Sequence, residues 1–302
     1  GNSYELLDGL RTKIRPGWEK MARSETPKIN SEFLQNQKSN GEIAVKKIRP
    51  LLNSVGKSIK NSKILEVGCH SGVTSFTLAE NGASEVVGTE FAGYKVEAVE
   101  SEKDNFDNKL VEVNDQLKTM RVDLAKMYQK SEKVKFVDDD ICKSALEPSS
   151  FDIVCSWEVL EHIHDPKSAF VSINNLLKED GVMVHEYNPF FCLNGGHSLC
   201  TLDMLWGHTQ LSDSDFEAYL TKFRPEEKER AQSFFTKGLN RMSLEDIKNY
   251  LNEANFDVLA IMPFSKEQHM RMIDENILNR TKKLYPNITP LDLITPRVFI
   301  IA

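Results

Sequence analysis

Cysteine is scarce in this 302-residue chain, and the five present (Cys69, Cys142, Cys155, Cys192 and Cys200) make no C-x-x-C spacing. That removes a disulfide framework and the common dithiol motifs, and leaves reduced thiols in a cytoplasmic protein as the plain expectation. Basic residues are outnumbered, 38 Lys and Arg against 45 Asp and Glu, for a net charge of −7. A broad nucleic-acid footprint, which needs a basic face, is therefore not expected. No apolar run exceeds strand length, so no membrane span is expected, and the opening residues do not read as a signal peptide. No repeat of solenoid length occurs.

Glycine is also missing where it would decide a cofactor. The run Ile64-Leu65-Glu66-Val67-Gly68-Cys69-His70-Ser71-Gly72 is an apolar strand entering a tight turn, followed by a helical stretch and a second apolar run, Val86-Val87-Gly88-Thr89, ending at Glu90. A β-α-β unit with an acid closing its second strand suits a ribose-bearing cofactor. The dinucleotide fingerprint G-x-G-x-x-G, started at Gly68, requires glycine at 70 and 73, and the chain has His70 and Val73. A pyrophosphate would lose its close backbone approach. The spacing E-x-G-x-x-x-G suits a ligand with a small zwitterionic end.

On these residues the chain resembles the class I S-adenosylmethionine-dependent methyltransferases, over about 60–186 by motif and 243–302 by pattern. The resemblance implies that Gly68, Cys69, His70 and Gly72 lie under the methionine end of the cofactor, and that Glu66 takes its ammonium directly or through water. Glu90 would accept from both ribose hydroxyls, since a carboxylate offers two acceptors to a diol's two donors. Phe91 would line the adenine slot. In Phe136-Val137-Asp138-Asp139-Asp140-Ile141, Asp140 would accept from the adenine amino group and Ile141 would address the ring. Ser156 and Trp157, at the carboxyl end of the fourth strand, would face the transferred methyl.

Glu158, Glu161 and His162 stand at i, i+3 and i+4, which on a helix is one face. The element resembles the E-x-x-E-H of metal-dependent O-methyltransferases, including the ubiquinone-pathway and small-RNA 2′-O-methylating enzymes. It implies a divalent metal on Glu158, Glu161 and His162, with His208 or His197 as a further ligand. The competing reading is a metal-free member, in which His162, His185, His197 or His208 serves as general base. A zinc knot of Cys192, His197, Cys200 and His208 matches no standard finger spacing.

Strands are expected at Lys133–Val137, Asp152–Ser156, Gly181–Glu186, Phe256–Met262 and Arg297–Ile301. Helices are expected at Ile43–Leu52, Pro166–Leu177 (closed by a turn with Gly181 past its end) and Ser243–Ala254, which opens on capping-box spacing. Pro16-Gly17 and Pro50 should act as breakers within the N-terminal segment 1–60. Phe106, Leu110, Val113, Leu117, Met120, Leu124 and Met127 draw an apolar stripe, either a homodimer contact or a crossover helix packed on its own sheet. The expected fold is α/β, a doubly wound, seven-stranded, mostly parallel sheet. Segment 1–60 would form a helical cap and 61–302 the methyltransferase domain, with a lid insertion at 187–242 and a helical insert at 264–295. Trp18 is assigned to packing. The expected activity is S-adenosylmethionine-dependent methylation of a small-molecule or glycan-like acceptor at oxygen. An RNA or protein methyltransferase, or a non-catalytic binding protein of the same fold, stays open.

Overall fold

A computed structural model describes residues 5–22, 29–91, 93–94 and 106–302, with the backbone alone at 21–22 and 106–110. Among the described residues, seven strands make one sheet: β1 (Lys63–Val67), β2 (Glu85–Glu90), β3 (Val134–Asp138), β4 (Phe151–Trp157), β5 (Leu177–Tyr187), β6 (Ala260–Phe264) and β7 (Arg297–Ile301). Their order is β3-β2-β1-β4-β5-β7-β6, and β7 runs antiparallel to both neighbours. The expected fold is borne out. Winding reverses between β1 and β4, which opens a crevice at their carboxyl ends, where open α/β sheets take ligands.

Period-two alternation sorts the strand side chains between two layers. Ile64, Val86, Ile153 and Ile301 pack beneath α1 (Ser31–Ser54) and α2 (Val73–Glu80). Leu65, Val87, Val154 and Ile300 pack against α4 (Pro166–Leu176) and α6 (Leu244–Glu253). The capping box of α6 is present: Ser243 Oγ accepts from Asp246 N at 3.1 Å, and Asp246 Oδ2 accepts from Ser243 N at 2.8 Å. Along α3 (Phe106–Ala125), Leu117, Met120 and Leu124 are buried, and the last two pack with Val73, Phe76 and Tyr128. That part of the stripe is taken up by its own domain. The side chains of Phe106 and Leu110 lie outside the described residues.

Three expectations are corrected. Pro50 does not break its helix: it stands exposed in the last turns of α1, where the carbonyl of exposed Lys46 can turn to water. The strand expected at Phe256–Met262 is Ala260–Phe264, paired with β7 from Ala260↔Ile301 to Phe264↔Arg297. Gly181 is no left-handed helix cap, because α4 ends at Leu176 and β5 begins at once. A Cβ on Gly181 would come within 3.0 Å of the Phe151 carbonyl, so glycine serves strand approach here, at the register shift between β4 and β5.

Residues 190–239 share one apolar cluster with Ile14, Trp18, Ile277, Ile288 and Leu293. The start of the N-terminal segment, the insertion, which includes α5 (Asp213–Phe223), and the later helical insert, which includes α7 (Glu275–Leu284), thus make one layer over the sheet's carboxyl edge. In contrast, α1 packs on the sheet's face, so the expected cap does not extend over the whole of 1–60. Trp18 packs as expected, beneath the Arg11 guanidinium at 3.5 Å.

Candidate active site

Three residues of the β1–α2 turn are left-handed: Gly68 (φ 68°), His70 (φ 45°) and Gly72 (φ 75°). A Cβ on Gly68 would lie 2.6 Å from Val159 Cγ2, and one on Gly72 would fall on the Phe136 ring. Glycine is required at both positions by conformation and by space. His70 is held left-handed from two sides. Its N–H donates to Glu90 Oε2 at 2.6 Å, and its carbonyl accepts from Arg121 Nε and Nη2 at 2.9 and 2.7 Å. Its side chain is exposed. Cys69 is buried under the turn, its N–H donating to Thr89 O at 2.8 Å, and burial pushes the thiol well above its ordinary value. Glu66 is buried too and accepts from Ser75 Oγ on α2; burial raises its carboxyl to about 7 against the lowering hydrogen bonds of Ser75 and Thr74.

Above this turn lies a narrow groove of about 70 Å³. Its walls include Val67, Gly68, Thr89, Glu90, Phe91, Tyr94, Asp139, Asp140, Ile141, Val159 and His162. Carboxylates stand along it, at Glu90, Asp139 and Asp140, with the phenyl of Phe91 beside them. Asp140 Oδ1 accepts from Cys142 N at 3.0 Å. Asp139 Oδ1 accepts from Ala145 N at 2.9 Å, while its Oδ2 is buried with no partner among the described residues. A wider hollow continues outward over Lys143, Thr236, Lys237 and Asn240, sharing Phe91, Tyr94, Asp140 and His164 with the groove. A left-handed glycine turn, an acid at the β2 end and acids at the β3 end together fit an adenosyl group carrying a zwitterion.

His162 stands on the groove wall. Its Nδ1 lies 2.8 Å from the Gly238 carbonyl and 2.7 Å from the Tyr94 hydroxyl, which itself donates to Gly238 O at 2.8 Å. A carbonyl has no proton to give, so the hydrogen-bond network assigns the proton to Nδ1 and the lone pair to Nε2. Burial, the first cause, and the charge of Arg15 lower the His162 pKa, although the Gly238 carbonyl raises it. The ring is neutral at pH 7. Beside it, Glu161 is fully buried, and among the described residues neither carboxyl oxygen makes a close hydrogen bond; burial pushes its pKa well up against the lowering backbone N–H groups of Glu161 and Asn188. His197 Nε2, likewise without a close hydrogen bond among the described residues, is 3.8 Å from Glu161 Oε1. One donor atom each from Glu161, His162 and His197 lies within 4.8 Å of the others. A carboxylate and two imidazoles with unspent lone pairs fit a divalent cation.

A model for a methyltransferase domain matches residues 39–261. The chain belongs to the methyltransferase-domain family. The likeness to the class I S-adenosylmethionine-dependent methyltransferases is borne out. Among curated proteins, the methyltransferase domain is similar to the mitochondrial ubiquinone biosynthesis O-methyltransferase of Dictyostelium discoideum, 30% identical over 142 residues (46% of this chain and 39% of that protein). It is similar as well to the ubiquinone biosynthesis O-methyltransferase of Pelagibacter ubique (strain HTCC1062), 26% identical over 134 residues, 44% of either chain. The chain thus spans less than half the length of these curated relatives. A solved S-adenosylmethionine-dependent methyltransferase from Mesorhizobium loti is 12% identical with a TM-score of 0.47, over 83% of this chain and 95% of that one.

Within the methyltransferase domain, several expected site residues are not brought to the groove. The pleat of β4 turns Ser156 inward, where its Oγ lies 2.7 Å from His185 Nδ1, both fully buried. Trp157 faces the other layer and packs with the α1 cluster. His185, which burial pushes down to about 3, is a core residue and no base for the groove. His208, pushed down to about 4 by burial, donates from Nε2 to Phe190 O at 2.8 Å inside the cap, away from Glu161. Of the two histidines weighed as a further metal ligand, His197 is the one that approaches. Glu158 is exposed and left-handed (φ 52°), outside the Glu161 cluster. The expected helix face does not form there, because Leu160–His162 is a single 3-10 turn. Cys192, His197, Cys200 and His208 do not converge: Cys192 Sγ donates to Pro189 O and Cys200 Sγ to Ala231 O. Asp139 and Tyr94 were missed. The triple-Asp run could have flagged Asp139, whereas nothing near Tyr94 in sequence signals its contact with the distant Gly238.

Proposed function

We propose that this chain transfers a methyl group from S-adenosylmethionine to an oxygen of a small hydroxylated acceptor, with His162 as general base. The observation that carries the reading is the groove itself. It runs from the glycine turn past Glu90, Phe91, Asp140 and Ile141 to a histidine whose Nδ1 is locked as a donor. The bound cofactor supplies a methyl already activated on a sulfonium, so the chain's own task is to bind, align, exclude water and remove a proton. The Gly68–Gly72 turn takes the amino-acid end, with Glu66 acting on the ammonium through the turn. Glu90 takes the ribose diol, and Asp140, with Asp139 beside it, takes the adenine amino group. His162 Nε2 accepts the acceptor's hydroxyl proton as its oxygen bonds to the methyl carbon and the carbon–sulfur pair returns to sulfur.

A second reading has its own support in the carboxyl oxygens of Glu161 and Nε2 of His197, none of them in a close hydrogen bond among the described residues. There Glu161, His162 and His197 hold a divalent cation that would draw a hydroxyl into register and lower its pKa. The relatives' names, both O-methyltransferases of ubiquinone biosynthesis, support oxygen and a small acceptor. Five free thiols suit a cytoplasmic setting.

The test is transfer of a labelled methyl to catechols and phenols, by wild type and by His162→Ala, with and without chelator. His162→Ala should cost about 10²–10⁴-fold in rate. The acid limb of the wild-type pH profile should lie below the ordinary imidazole value, because burial keeps the ring unprotonated. An unchanged rate in the variant would remove His162 as base or ligand, and full activity in chelator would retire the cation.

A further inference from the structure

A second cluster of ligating atoms lies at the adenine end of the groove, remote in role from the Glu161 group. Asp140, Cys142 and His164 each bring one donor atom within 4.8 Å of the other two. They come from two segments, the 3-10 turn after β3 and the loop before α4, so the fold and not the local sequence assembles them. Cys142 Sγ is 3.9 Å from His164 Nδ1. Zinc bonds of about 2.3 Å to sulfur and 2.0 Å to nitrogen at a tetrahedral angle put those two atoms roughly 3.6 Å apart. The pair is therefore within a few tenths of an ångström of ligating distance without rearrangement.

We propose that Asp140, Cys142 and His164 form a binding site for a borderline-soft divalent cation, zinc foremost, and that its occupation excludes the adenosyl cofactor. The donor set decides the class: thiolate, imidazole and carboxylate together select zinc over magnesium or calcium, which prefer all-oxygen shells. Three protein ligands leave the fourth position to water from the groove, which Asp140 and His164 both line. Asp140 spends Oδ1 on capping Cys142 N, leaving Oδ2 for the ion. The Lys143 ammonium, 3.9 Å from that Oδ2, is on a largely exposed side chain and can turn outward. In the absence of metal, Cys142 is a thiol donating to Asp165 O at 3.4 Å; zinc displaces that proton to solvent. Exclusion follows because Asp140 serves both ligands. That half of the inference rests on the cofactor assignment above, whereas the cation site stands on the three side chains alone.

Cobalt(II) replaces zinc and reports a bound thiolate by its sulfur-to-metal charge-transfer absorption. Wild-type protein titrated with cobalt should show this band, saturating at one equivalent, and Cys142→Ser should lose it. S-adenosylhomocysteine added to the cobalt form should bleach the band. No thiolate band, or one that persists in Cys142→Ser, overturns the site. A band indifferent to S-adenosylhomocysteine that binds the metal-free protein overturns the exclusion. Failure of S-adenosylhomocysteine to bind the metal-free protein would sink the cofactor assignment and the exclusion with it, leaving the band to judge the cation site.

Discussion

At the scale of single residues, the turn stores an ionisation cost. Glu66 sits where water cannot reach it, with Glu90 adding a like charge, and the hydrogen bonds of Ser75 and Thr74 recover only part of the loss. Its carboxyl ionises at about 7 in the folded chain, against 4.5 ordinarily. The unfolded chain therefore gives up this proton first, and the stability the protonated form contributes is present below about pH 4.5 and lost as pH rises through 7. Glu66→Gln keeps an acceptor for Ser75 and removes the titration. Urea unfolding without cofactor should show the variant gaining on wild type between pH 5 and pH 8, by up to roughly 3 kcal/mol. A difference that does not change with pH would mean that Glu66 keeps an ordinary carboxyl.

At the scale of elements, the β1–α2 turn is the part on which the site depends. Gly72 combines a left-handed backbone with a Cβ position already filled by Phe136 of β3. Gly72→Ala should lower the unfolding free energy by at least about 1–2 kcal/mol from backbone handedness alone. Cofactor affinity should fall with it, since the ring of Phe136 must shift. Unfolding curves that superimpose on wild type would show that the turn tolerates a side chain.

This turn was legible because its constraints are local: strand, glycines and helix follow one another, and the next strand closes on the acid Glu90. Glu90, Phe91, Asp140 and Ile141 all lie on the groove. The end of β4 was not legible. Whether Ser156 faces ligand or core depends on the pleat and on His185, supplied by the neighbouring strand β5. The i, i+3, i+4 spacing of Glu158, Glu161 and His162 suggested one helix face, but a short 3-10 turn stands there and separates Glu158 from the others. His197 reaches Glu161 only because the cap folds back over the sheet, an approach that local spacing does not show and that only the resemblance, offering His197 beside His208, allowed for.

At the scale of the whole molecule, three segments distant in sequence build the layer over the groove. Arg11 fastens the first of them. Buried, it donates to both oxygens of Glu227 at 2.9 and 2.8 Å and to Ser198 O, while its backbone N–H binds Asp203 Oδ1. The layer brings the Gly238 carbonyl onto His162 and carries His197 to Glu161. The sheet thus supplies the glycine turn and the acids of the groove, and the cap supplies much of what surrounds His162. Pleat, winding and caps suffice to place the sheet; the cap's aromatic core, with Phe190, Phe191 and Trp206 fully buried, had to be seen.

The central claim is that the groove between the glycine turn and the β2 and β3 ends holds the adenosyl cofactor. A crystal structure of the protein grown with S-adenosylhomocysteine tests it most directly. The account predicts the ribose hydroxyls on the Glu90 carboxylate, the amino-acid end over Gly68, the adenine beside Phe91 and Asp140, and the sulfur directed toward His162. A ligand bound elsewhere, or a groove left without it at saturating concentration, would contradict the account.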